Sequence, residues 1–117
     1  MVLNSCSRDE RIEKYDKIIN DCDRVKIYTR TDNDFNLIKE IIDKDDLLTL
    51  KTILKRDINP EMQEKFIANK RFEILKGDKV VGQLMINDSK ERPFANFVSD
   101  DFGFGFRLTY GIGMYLN

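Results

Sequence analysis

From Phe102 to Leu116 apolar residues take every second position: Phe102, Phe104, Phe106, Leu108, Tyr110, Ile112, Met114 and Leu116. Gly103, Gly105, Arg107, Thr109, Gly111, Gly113 and Tyr115 fill the gaps. A two-residue period is that of a strand with one buried face, and burying each Phe or Leu is worth roughly 1.5–3 kcal/mol. This stretch is therefore read as the hydrophobic spine. Glycines between large aromatics mark a bend, a bulge or a surface that something approaches closely; another element of the same chain is expected there, with a docking partner as the alternative. One unbroken strand of that length would reach about 50 Å at ~3.4 Å per residue, so the strand is expected to stop near Leu108. The conformation of Thr109 to Asn117 stays open, since Leu108, Ile112 and Leu116 also fit helical spacing.

The rest of the chain alternates between the two periods. Ile12, Tyr15, Ile18 or Ile19 and Cys22 form a helical stripe in a first helix from about Arg8 to Asp21, with Ser7 and Glu10 as a capping box. Val25 and Ile27 alternate with Lys26 and Tyr28, which predicts a strand with one wet face over Arg24 to Arg30. Thr31-Asp32-Asn33-Asp34 turns it into a second strand, Phe35 to Ile42. Asp43 caps a helix over Lys44 to Arg56, with Leu47, Leu50 and Leu54 as its inner stripe, widened by Leu48 and Ile53. Asn59-Pro60 reads as the start of a short helical turn through Met62 and Phe66. A hairpin follows, turning at Gly77-Asp78 between a strand from Lys70 and another over Val80 to Ile86; then come Pro93, a strand over Phe94 to Val98, and the turn Ser99-Asp100-Asp101.

The order predicts an α+β fold: a single antiparallel sheet of about six strands with helices packed on one face, a two-layer sandwich. Residues 8–117 form one domain and residues 1–7 a signal remnant or tether. With 117 residues the chain suffices for one core and not for two.

Composition narrows the chemistry. Twenty basic and twenty-one acidic residues leave a net charge of −1, so no global attraction to nucleic acid is expected. There is no histidine and no tryptophan, which removes the commonest general base, the commonest nitrogen metal ligand and a usual interface anchor. Asp45-Asp46 and Asp100-Asp101 are paired carboxylates, explained by a helix start and a turn. Asp32 and Asp34 lack the glycine and downstream glutamate of a calcium loop. Gly103-Phe104-Gly105 lacks the setting of a dinucleotide site. No catalytic, cofactor-binding or metal residues are assigned, and the chain is read as a non-enzyme without cofactor. Cys6 and Cys22 flank the first helix, which would hold their sulfurs about 20 Å apart at 1.5 Å per residue, so no disulfide between them is expected.

Leu3-Asn4-Ser5-Cys6 resembles the tail of a bacterial lipoprotein signal, in which an aliphatic residue and a small residue precede the cysteine that becomes lipidated. The basic and apolar regions that come before such a box are missing upstream. Either the native start is longer, or the match is accidental and Cys6 is an exposed thiol. The layout, with Phe72-Glu73-Ile74-Leu75-Lys76-Gly77-Asp78-Lys79 in its meander, resembles small envelope lipoprotein domains of unknown function. That resemblance implies a non-enzymatic binding module in the bacterial envelope, lipid-anchored through Cys6, whose partner is a protein or envelope component. The alternative is a soluble intracellular interaction protein, such as a toxin-neutralising immunity protein. The aromatic-glycine alternation is also similar to outer-membrane barrel strands, but a barrel needs eight or more of them and the chain is too charged and too helical.

Overall fold

The computed structural model describes residues 9–56, 58–89, 91, 93–108 and 112. Its elements run α1 (Glu10–Asp21), β1 (Arg24–Thr31), β2 (Asp34–Ile41), α2 (Lys44–Lys55), β3 (Lys70–Lys76), β4 (Lys79–Asn87), β5 (Phe94–Val98) and β6 (Gly103–Arg107). The six strands form one antiparallel sheet in the order β2-β1-β3-β4-β5-β6, so both hairpins share a sheet as expected. The one non-consecutive neighbour, β1 beside β3, obliges the chain to travel from the end of α2 back to the middle of the sheet.

Both helices cover one face. Ile12, Tyr15 and Ile19 of α1 and Leu47, Leu50 and Leu54 of α2 are buried. They join Val25, Ile27, Phe72, Ile74, Leu84, Ile86, Ala95, Phe97, Phe104 and Phe106 of the sheet in a single core. Tyr15 lies edge-on to Phe97 at 4.9 Å and to Phe104 at 5.4 Å, an arrangement that adds to plain burial. Its hydroxyl donates to the Leu54 carbonyl at 2.8 Å, tying the two helices together and satisfying a buried polar group. The aromatic strand is thus the spine that its alternation predicts, over Gly103–Arg107. Thr109 to Asn117, whose conformation the sequence leaves open, lies outside the described residues apart from Ile112, which is buried.

Four expectations need correction. Helix α1 begins at Glu10, after Asp9 rather than Ser7, because the Asp9 carboxylate accepts from the Arg11 amide at 2.8 Å and closes the first turn itself. Ser7 lies outside the described residues. Leu48 does not widen the inner stripe of α2. It is 65% exposed, since one residue past Leu47 turns the side chain about 100° off the sheet. Strand β2 runs over Asp34–Ile41, not from Phe35 to Ile42, and its pairing slips between Ile27 and Tyr28, whose partners are Lys39 and Leu37. Ile38 is the extra residue of a bulge, and Leu37 and Ile38 both end up exposed.

The fourth correction matters most. Residues 58–69 form no helical turn; they run as an extended strap around the β6 edge and beneath the face opposite the helices. Glu61 exchanges main-chain hydrogen bonds with Gly105, at 2.7 and 2.8 Å, which a helical turn could not have made. The Asn96 side chain then clamps the strap: its amide donates to the Glu64 carbonyl at 2.7 Å and its carbonyl accepts from the Glu64 amide at 3.1 Å. Phe66 meets Phe94 edge-on at 6.2 Å. This accounts for the glycines of the spine. A Cβ on Gly105 would stand 2.6 Å from the Met62 carbonyl oxygen, and one on Gly103 would collide with the Gln63 side chain. The approaching element is the chain itself.

Candidate interaction surface

The strap covers only half of its face. One row of side chains crosses the whole sheet there by register: Leu37, Tyr28, Arg71, Met85, Asn96 and Gly105. Asn96 and Gly105 lie under the strap, whereas Leu37, Tyr28 and Arg71 lie beyond it.

At that open end β1, β2 and β3 assemble an aromatic and cationic cluster. Arg30 and Phe35 are opposite each other across β1 and β2, and Tyr28 and Arg71 across β1 and β3. The Arg71 guanidinium lies 4.5 Å from the Tyr28 ring centroid and 4.7 Å from that of Phe35. The Arg30 guanidinium also lies 4.7 Å from the Phe35 centroid. The Arg30 Nε donates to the Ala68 carbonyl at 2.7 Å, so the last residues of the strap hold this side chain in place. Glu73 accepts from the Tyr28 hydroxyl at 3.0 Å and stands 3.5 Å from Arg71. Partial burial, and then the Glu73 carboxylate, push the Tyr28 phenol above its ordinary value.

Beside this cluster β2 is an edge strand among the described residues, with β1 on one side and no strand on the other. Leu37 is 51%, Ile38 45% and Ile42 59% exposed, an unusual run of large apolar groups along an edge.

The carboxylates singled out in the sequence are structural. Asp45 and Asp46 stand in the first turn of α2, where their amides donate to Asp43. Asp32 occupies a two-residue turn with φ 57°, a conformation that Asp tolerates. Asp101 accepts from the Ser99 hydroxyl at 3.4 Å. Among the described residues no three His, Cys, Asp or Glu side chains group as metal ligands would, and no helix is long and apolar enough to cross a membrane. Cys22 is a free, buried thiol that burial pushes above the usual thiol range. Its amide closes α1 by donating to the Ile18 and Ile19 carbonyls. Cys6, the lipidation candidate, lies outside the described residues.

The Arg30, Phe35, Tyr28 and Arg71 cluster was not singled out in the sequence. The wet face of β1 carries its signal, in Lys26 and Tyr28, but the union with Arg71 depends on a pairing between strands that are not consecutive. No family model matches the chain, and no curated protein or solved structure compared with it matches either.

Proposed function

We propose that the chain is the folded domain of a bacterial envelope lipoprotein, a non-enzymatic interaction module tethered through Cys6. The observation that carries the interaction reading is the unpaired edge β2, with Leu37, Ile38 and Ile42 exposed along it. An edge strand is a template for pairing with another chain, and here Leu37 and Ile38 stay exposed on it beside the bulge and the charges of Lys39 and Glu40. The non-enzymatic reading is supported by the lack of histidine in the sequence and by the place of Asp45 and Asp46 in the first turn of α2, where acidic side chains complement the helix dipole. The tether rests on the residue types of Leu3, Ser5 and Cys6.

The test is fractionation of cells expressing the gene from its native start. Wild type should travel with membranes and incorporate labelled fatty acid, and Cys6→Ser should do neither while the soluble domain keeps its thermal midpoint. Wild type remaining in the cytosolic fraction would sink the tether and leave an untethered module of the immunity-protein type as the reading.

A further inference from the structure

We propose that the open face of β1, β2 and β3 receives an extended acidic segment of a partner protein, whose carboxylates are taken by Arg30 and Arg71. This rests on the interaction-module reading and names the chemistry of its partner.

The argument begins with charge. Along this face stand Arg24, Lys26, Arg30 and Arg71 against Glu40 and Glu73, a local cationic surplus on a chain whose net charge is −1. Arg24 and Glu40 pair at 3.5 Å, and Glu73 is shared between Tyr28 and Arg71. Arg30 has no carboxylate partner among the described residues.

Preorganisation is the second point. A guanidinium on an exposed strand ordinarily sweeps through many rotamers, and ordering it costs binding energy. Arg30 is already fixed by the Phe35 ring and by the Ala68 carbonyl. Arg71 is fixed by two rings, and its buried Nε has no hydrogen-bond partner. Arg30 is thus held in place with no carboxylate on it among the described residues, and Arg71 has Glu73 alone, which it shares with Tyr28. A guanidinium fork matches a carboxylate in two parallel hydrogen bonds, so carboxylates are the group this arrangement fits.

Spacing then lets one extended segment meet both groups. Both guanidinium carbons are 4.7 Å from the same centroid, so they are no more than twice that distance apart. Side chains i and i+2 of a strand stand about 7 Å apart on one face, within that span. The neighbouring β2 edge offers main-chain groups to the same segment. A nucleic acid fits less well, because affinity for phosphate chains comes from many contacts and the chain as a whole is acidic.

The experiment is fluorescence anisotropy at low salt with a labelled twelve-residue peptide of alternating Glu and Thr, against the same peptide with Gln for Glu. The Glu peptide should bind and the Gln peptide should not. Arg30→Gln and Arg71→Gln should each weaken binding roughly tenfold, as loss of one charge-assisted contact implies, and Arg30→Lys should fall between Arg30→Gln and wild type. Glu73→Gln removes the internal competitor for Arg71 and should tighten binding. Arg107→Gln, at the other end of the sheet, should change nothing. If Arg71→Gln fails to fold, Arg30→Gln decides alone. Equal binding of both peptides, no binding of either, an unchanged affinity in Arg30→Gln, or tighter binding of a dT oligonucleotide than of the Glu peptide would each overturn the proposal. None of these outcomes touches membrane fractionation of Cys6→Ser, so the two readings fail separately.

Discussion

The two ends of the sheet are built from similar strands and finished in opposite ways. At the β5–β6 end, helices cover one face, the strap covers the other, and Glu61 occupies the outer edge; Phe94, Phe97, Phe104 and Phe106 are all buried. At the β2 end a single residue of the strand, Ile41, is buried, the far face carries the arginine and aromatic cluster, and among the described residues no strand pairs with the edge. Stability is concentrated in one end and accessible surface in the other. A small domain has little apolar surface to spare, and among the described residues this one buries Tyr15, Phe72, Phe94, Phe97, Phe104 and Phe106 and leaves Tyr28 and Phe35 at the open end.

That division can be broken at its strongest point. Phe104→Ala removes a ring packed against Tyr15, Phe97 and Phe106 and should cost about 3–5 kcal/mol, read as a lower midpoint in chemical denaturation. An unchanged midpoint would remove the spine from the core. Next is Gly105→Ala, whose Cβ would press on the Met62 carbonyl and the Phe94 ring. A loss of about 1–3 kcal/mol is expected, with faster hydrogen exchange at the Glu61 amide as the sign that the strap has lifted. Tyr15→Phe leaves the ring and deletes the bond to Leu54, for about 1 kcal/mol. At the open end Leu37→Ser should stay within about 0.5 kcal/mol of wild type. A larger loss there would mean that the bare end also supports the core.

Alkaline pH sharpens the same contrast. Burial raises the Tyr15 phenol and the Cys22 thiol above their ordinary values. A group whose folded pKa is raised holds its proton longer in the folded state, so its contribution is whole below the unfolded value and is lost as pH rises beyond it. Stability should therefore begin to fall above the ordinary thiol range and fall more steeply past the ordinary phenol range. Tyr15→Phe should lessen the second, steeper part, leaving what the raised Tyr28 phenol contributes, and a pH series of denaturation midpoints would show it.

Local patterns made most of the fold legible. The stripe Leu47, Leu50 and Leu54, the Asp43 cap, the Gly77 turn at φ 61° and the alternation of Phe104 and Phe106 each follow from residues close in sequence. The strap was not legible. Asn59-Pro60 signals a helix start only if the next residues bond among themselves, and here their partners are Gly105 and Asn96, far along the chain. The bulge at Ile38 hid for a similar reason: it depends on how β2 lies against β1 and not on either strand alone. Of the candidate surface, Tyr28 on a wet strand could be read, and its meeting with Arg71 and Phe35 could not.

The strap also sets an order of events during synthesis. Residues 58–69 are synthesised before Asn96 and Gly105, a delay on the order of seconds at ordinary elongation rates. Through that interval Phe66 has no Phe94 to meet, and Met62 and Ile67 remain exposed even after docking. A nascent chain stopped before β6 would therefore leave the strap undocked, and chaperone crosslinks to it should fall once Gly103 and Gly105 have been made.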